Sequence, residues 1–112
     1  MHDWHQVFVP YLDGGSFAGT GQGAQHDDEH GDGQKLYYRG RNILSAVLDD
    51  LLAKGLDKAT DVVLSGCSAG GLAVYLNADH VASRLPPAAK FRAIADSGYF
   101  LRAAGNIGGM QW

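Results

Sequence analysis

The stretch of residues 59–81 constrains the fold more than any other part of the sequence. It begins with the run "ATDVVL", passes through "SGCSAGG" at residues 65–71, and continues with apolar residues at helical spacing. β-Branched residues favour strands, and glycines allow a chain to turn sharply. We therefore predict a buried strand from Asp61, a tight turn around Ser68, and a helix over residues 69–85.

Further elements flank this junction on both sides. In the preceding segment, apolar residues recur at the spacing of one helix face: Leu44, Val47, Leu48, Leu51 and Leu52. Lys54 and Gly55 are typical of the end of that helix. Residues 6–12, "QVFVPYL", and residues 91–95 predict two more strands. The order strand, helix, strand, helix, strand is typical of an α/β fold with a parallel sheet and right-handed crossovers.

Residues 13–34 are a long polar stretch that we predict to be one surface loop. Its central part, "HDDEH" at residues 26–30, would bind a divalent ion if it were helical, because its two histidines flank three carboxylates. Gly31 and Gly33 follow and no apolar face accompanies them, so the prediction is a solvated loop without a metal. No structure is predicted for residues 103–112, and no second domain.

The composition excludes several classes of protein. The 112 residues include 9 Lys and Arg against 12 Asp and Glu, and the cations are scattered, so nucleic acid is not a predicted partner. No apolar run is long enough to span a membrane, and the N-terminal residues lack the pattern of a signal peptide. Cys67 is the single cysteine, which excludes an internal disulfide.

The pentapeptide Gly-Cys-Ser-Ala-Gly centred on Ser68 matches the G-x-S-x-G pattern of a nucleophile elbow. In that geometry a strained turn projects the serine hydroxyl above the sheet, and small residues let strand and helix approach. The predicted elbow glycines are Gly66, Gly70 and Gly71. The backbone N–H of Ala69 would donate to an oxyanion at the helix N-terminus. The alternative is a structural glycine turn that binds a phosphate.

A serine nucleophile needs a histidine base and an acid that orients it. His80 is the one histidine after Ser68, but twelve helical residues put it about 18 Å away, so we predict a surface helix residue. Asp96 follows the next strand, but no histidine comes after it, and the other histidines precede Ser68. Cys67 is predicted to point into the packing as a small buried residue. The residues therefore predict a nucleophile without a triad.

Three colinear segments closely resemble the pectin acetylesterase family of plants. They are "VFVPYLDGGSFAG", "YYRGRNILSAVLDDLLAKGLDKATDVVLSGCSAGGLAVYLNADHVASRLP" and "FRAIADSGYFL", and together they cover almost the whole chain. The family's animal member, Notum, is a carboxylesterase that removes a lipid acyl group from Wnt proteins. The resemblance implies that Ser68 is the catalytic serine and Ala69 N–H an oxyanion donor. It implies for Asp96 a supporting role beside the nucleophile and not that of triad acid.

By the same resemblance, the triad Asp and His lie downstream of "ADSG", and the glycine-rich oxyanion segment lies upstream of "VPY". The chain is therefore expected to be a single partial catalytic domain over residues 1–112, truncated at both ends, with the central part of an α/β-hydrolase sheet. The implied activity is a serine carboxylesterase that deacetylates pectin, extracellular or in the cell wall, without a cofactor. The alternatives are a lipid-ester hydrolase like Notum, and an inactive fragment or binding module.

Overall fold

The computed structural model describes residues 1–21, 25–26 and 35–100, and side chains are described for all of these except residues 25–26 and 35–36. The predicted lack of structure over residues 103–112 lies outside these ranges. The elements, in chain order, are β1 (Gln25–His26), β2 (Lys35–Leu36), α1 (Gly40–Ala53), a 3₁₀ turn (Leu56–Lys58), β3 (Asp61–Cys67), α2 (Ala69–Arg84) and β4 (Lys90–Asp96).

β3 and β4 are neighbouring parallel strands at the centre of the fold. Their register runs from Asp61 opposite Lys90 to Cys67 opposite Asp96, and α2 connects them. Parallel neighbours need such a crossover, because the chain must return to the starting end of the sheet before it pairs. The predicted α/β class, these two strands and both helices are confirmed.

The core lies between the two helices and one face of the sheet. Its buried apolar side chains come from α1, from α2 and from the residue after α2: Leu44, Leu48, Val81 and Leu85. Partly buried side chains of the two strands pack against them: Val62, Leu64 and Phe91. Alternate residues of a strand share a face, so α1 and α2 cover the same face of the sheet. Cys67 and Ile94 lie on the opposite face and are exposed.

The prediction of a first strand over residues 6–12 is wrong. The structure has no regular element there, and Val7, Phe8 and Leu12 are exposed. A strand exists only through hydrogen bonds to a neighbour, and β-propensity measures how well a side chain fits a half-buried pleated surface. Among the described residues, β3 pairs with β4 alone. Residues 6–12 are therefore apolar but form no hydrogen-bonded ladder with either strand.

The structure differs from the predicted surface loop over residues 13–34 at its start. Ser16 is buried and Phe17 packs against the core, so this part lies beneath the surface. Further along, β1 and β2 form a two-stranded antiparallel pair in which Gln25 is opposite Leu36. Residues 27–34 lie outside the described residues, and they include most of the HDDEH segment (residues 26–30) that was considered as a metal site.

The two ends of α1 are specified by local chemistry. At its start, a carboxylate oxygen of Asp13 accepts the N–H of Gly40 at 2.5 Å, which satisfies one of the free donors of the first turn. A Cβ on Gly40 would lie 2.7 Å from Cα of Phe17, so this position requires glycine. After the helix, Gly55 has φ of 119°, a value that favours glycine. The helices in the described part of the chain are too short or too polar to cross a membrane.

Candidate active site

Ser68 occupies the turn between β3 and α2 and has a strained backbone. Its φ of 55° and ψ of −116° lie in a region that side chains other than glycine rarely adopt, at a typical cost of about 1–3 kcal/mol. Its N–H donates to the Asp96 carbonyl at 3.0 Å, and its carbonyl accepts the N–H of Leu72 at 3.1 Å. The side chain makes no capping hydrogen bond and the residue is exposed. Both backbone groups are therefore held while the hydroxyl faces solvent.

The glycines around Ser68 differ in their steric requirement. A Cβ on Gly66 would overlap the carbonyl of Gly70, lying 2.5 Å from its carbon atom. A Cβ on Gly71 would lie 3.1 Å from both the Asp96 carbonyl oxygen and the Gly98 Cα. A Cβ on Gly70 would meet nothing within 4 Å. The close approach of β3 to α2 therefore depends on Gly66. The close approach of α2 to the turn after β4 depends on Gly71.

Ala69 and Asp96 meet the turn from its two sides. Ala69 is the first residue of α2, where backbone N–H groups have no acceptor within the helix. Asp96 ends β4 and contacts Ser68 through its backbone carbonyl, while its exposed carboxylate accepts a hydrogen bond from the Ser97 hydroxyl at 3.4 Å. The Asp96 contact to Ser68 is thus structural and made by the main chain.

Cys67 is exposed, so the prediction that it is buried is wrong. The reason lies in strand alternation. Val62 and Leu64 face the helices, so Cys67 and Ser65 face the opposite side of the sheet, which no described element covers.

His80 lies on α2, as predicted, and is half-buried there rather than fully exposed. It lies in α2 but contacts α1, where its Nε2 is 3.2 Å from the hydroxyl oxygen of Ser45. It is therefore engaged away from Ser68, and within the described ranges the Ser68 hydroxyl has no side-chain hydrogen-bond partner.

Three polar contacts join α1 to α2, and we call this set the polar seam. Arg41 donates to the Asn77 Oδ1 at 2.5 Å, Ser45 meets His80, and Arg84 forms an ion pair with Asp49. The partners advance in the same direction along both helices, so the helices run side by side and parallel. Sequence reasoning missed the seam. The available signal was the spacing of four residues between positions 41, 45 and 49, which places them on one side of α1.

Asn77 extends the seam to the N-terminal segment. It is 2% exposed, and its amide nitrogen donates to the carbonyls of Ala73 at 2.8 Å and Ser16 at 3.3 Å. Tyr11 adds a second anchor, because its hydroxyl accepts the N–H of Ser16 at 3.0 Å. Ser16 and Phe17 both have positive φ, at 50° and 55°, so these contacts hold a strained turn in place.

The seam predicts an acid-sensitive stability. Partial burial of His80, followed by the charges of Arg41 and Arg84, lowers its pKa from the usual value of about 6.5. A histidine with a lowered pKa binds fewer protons in the folded state, so its contribution to stability is present above pH ~6.5 and is lost as the pH falls below it. We expect urea midpoints measured between pH 7.5 and 5 to fall more steeply in the wild type than in His80→Gln. Equal slopes would contradict this role.

A cleft of about 380 Å³ adjoins the start of α2 and the end of β4, lined by Leu72, Tyr75, Ala95, Gly98, Tyr99 and Phe100. Leu72 follows Ser68 by one helical turn. The Tyr99 side chain is 84% exposed and that of Phe100 45%, so aromatic groups are open to a ligand there.

Comparison with known proteins gives consistent matches. The sequence model of the family described as Pectinacetylesterase matches residues 1–111. Pectin acetylesterase 11 of Arabidopsis thaliana is 42% identical over 109 residues, which is 97% of this chain and 26% of that protein. Pectin acetylesterase 7 of the same plant is 38% identical with the same coverage. Human palmitoleoyl-protein carboxylesterase NOTUM is 35% identical over 101 residues, 87% of this chain and 19% of that protein. The chain thus spans about a quarter of the length of the plant relatives. No solved structure matches it.

Proposed function

Because the chain belongs to the pectinacetylesterase family, whose named members are carboxylic ester hydrolases, we propose that it carries the nucleophile of a serine esterase. The supporting observation is the strained, exposed Ser68 between β3 and α2, with Gly66 lying against Gly70. Backbone strain is costly and is concentrated at functional sites. The phosphate-binding alternative gives no reason for a serine, because glycine would adopt this backbone conformation with less strain.

In the proposed mechanism the Ser68 hydroxyl oxygen attacks an ester carbonyl and its proton passes to a general base. The family resemblance implies a histidine in this role, and no described histidine is hydrogen-bonded to Ser68. The resulting oxyanion accepts a hydrogen bond from Ala69 N–H, and the N-terminus of α2 favours the negative charge. The alcohol leaves with the proton, and water then cleaves the acyl-enzyme, which returns Ser68 to its starting state. The amide of Ser68 itself is held by the Asp96 carbonyl. The oxyanion therefore takes its donors from Ala69 and from groups across the site.

The proposed substrate is an acetyl ester on pectin, as the names of the plant relatives state for those proteins. The proposed place of action is accordingly extracellular or the cell wall. A lipid ester is the second candidate. It is favoured by the similarity to the palmitoleoyl-protein carboxylesterase and by the apolar and aromatic cleft beside Leu72. A third candidate function is that of a binding module that does not turn over a substrate.

Labelling with a fluorophosphonate, which reacts with activated serines, tests the proposed nucleophile. In protein that carries the general base, we expect peptide mass spectrometry to place the adduct on Ser68. Ser68→Ala should lose the adduct, whereas Ser65→Ala, a matched exposed serine on the end of β3, should retain it. A folded wild-type chain without an adduct, or an adduct elsewhere, would contradict the serine mechanism in this chain. Acetate release from acetylated galacturonan, compared with cleavage of a palmitoleoylated peptide, then separates the two substrate classes.

A further inference from the structure

The charges of the polar seam are not balanced by its own partners. Arg84 is paired with the carboxylate of Asp49, but the partner of Arg41 is the neutral amide of Asn77. Within residues 1–21 and 37–100, no carboxylate oxygen lies within 4 Å of the Arg41 guanidinium. Counting the described residues alone, the seam therefore holds two guanidinium groups against one carboxylate while His80 is neutral.

The excess charge is partly removed from water. Arg41 is half-buried, and the Arg84 side chain is only 31% exposed. A partly desolvated cation is stabilised by an anion, and partly buried charges are as a rule paired. Among the described residues, Arg41 therefore has only a neutral side-chain partner, and an anionic ligand would add the missing charge.

We propose that the polar seam is a binding site for an oxyanion, and that its ligand is the carboxylate of an acidic sugar in a polysaccharide chain. Arg41 supplies a planar donor pair that matches a carboxylate, and Ser45 adds a hydroxyl on the same side of α1. His80 lies between the two arginines along the seam and provides a further donor when it is protonated. This ligand class rests on the proposed function, because pectin is a chain of acidic sugars.

The position of the seam makes it an accessory binding site separate from the chemistry. His80 lies twelve residues after Ser68 in the same helix, which corresponds to about 18 Å along the axis. A chain of several sugars would be needed to reach from one to the other. The seam would therefore strengthen the binding of an oligosaccharide without contacting the reacting ester.

Proton and anion binding at the seam are linked. The groups that face His80 are Arg41 and Ser45 on α1 and Arg84 on α2, with Asp49 beside Arg84. An anion held among them would offset the two guanidinium charges, so it would raise the pKa of His80, and protonation would in turn strengthen anion binding.

The test uses trigalacturonate as the probe and NMR detection of the His80 ring. We expect trigalacturonate to raise the His80 pKa and to bind more tightly at pH 5 than at pH 7.5, whereas its neutral methyl ester does neither. Arg41→Gln, which keeps a donor for Asn77, should weaken binding roughly tenfold, the usual worth of a charged hydrogen bond. Arg84→Gln is a second variant of the same kind. Arg92→Gln is the matched control, because that arginine lies on β4 beside Asp61.

Several results would overturn the proposal. Equal binding of the methyl ester would show that the carboxylate is not recognised. An unchanged His80 pKa would show that the sugar binds elsewhere, and an equal loss in Arg92→Gln would show non-specific attraction. Inorganic phosphate that shifts the His80 pKa as strongly as trigalacturonate would replace the sugar carboxylate with phosphate as the ligand. All of these measurements give the same answer in Ser68→Ala. Failure of the anion site is therefore distinguishable from failure of the esterase proposal.

Discussion

Gly66→Ala is expected to lower the free energy of unfolding by about 3 kcal/mol and to abolish fluorophosphonate labelling, whereas Gly70→Ala is expected to do neither. An added Cβ at Gly66 would overlap the Gly70 carbonyl, and both partners are main-chain groups that cannot rotate away. Such overpacking typically costs about 1–3 kcal/mol, with rigid backbone at the upper end. At Gly70 the same methyl group meets open space, and alanine favours a helix over glycine by up to about 1 kcal/mol.

Urea denaturation of the two variants measures this difference directly. The pair is matched, because both changes add one methyl group to a glycine of the same pentapeptide. If Gly66→Ala were as stable as Gly70→Ala, strand and helix would not approach as closely as described. If Gly70→Ala lost as much stability as Gly66→Ala, both glycines would be sterically required at this turn.

Ser68→Gly is expected to remove labelling completely and at the same time to make the protein more stable than Ser68→Ala, by about 1 kcal/mol. The backbone of Ser68 is strained by about 1–3 kcal/mol, and glycine relieves this strain. Part of this gain in folding stability is offset. Glycine makes the unfolded chain more flexible, and ordering it costs about 0.5–1 kcal/mol more than ordering alanine. The serine side chain caps nothing, so no hydrogen bond is lost with it.

The comparison with Ser68→Ala isolates the strain. Both variants lack the nucleophilic oxygen, but alanine keeps the Cβ that makes this conformation unfavourable. Chemical denaturation should therefore rank the midpoints with Ser68→Gly highest. A midpoint for Ser68→Gly at or below that of Ser68→Ala would mean that the turn is not strained.

The central helices and strands could be predicted from the sequence because each has a local signal. Apolar residues at helical spacing identified α1 and α2, a continuous aliphatic run identified β3, and β4 followed from the largely apolar residues 91–95. The same reasoning failed for residues 6–12, where the apolar run is equally clear. Strand formation there depends on a neighbour, and no local pattern reports whether one is present.

The candidate site likewise has one part that could be predicted from the sequence and another that could not. The turn at Ser68 was predictable, because strand, glycines and helix follow one another along the chain. The polar seam was not, since its contacts depend on how two separate helices align, and Arg41, Ser45 and Asp49 resemble an ordinary solvent-exposed face. The exposure of Cys67 depends on which side of the sheet the helices cover. The alternation of side chains shows which residues share a side of the sheet, but it does not show which side the helices cover.

The contact of Asn77 with the Ser16 carbonyl has a consequence for how the protein is made. The two residues are 61 positions apart, and ribosomes add about 5–20 residues per second, so the partner of Ser16 is synthesised roughly 3–12 s later. During that interval neither α2 nor the Asn77 amide exists to hold the strained turn at Ser16 and Phe17. Ser16 and Phe17 are therefore synthesised before α2 but reach their native conformation only after α2 has been made.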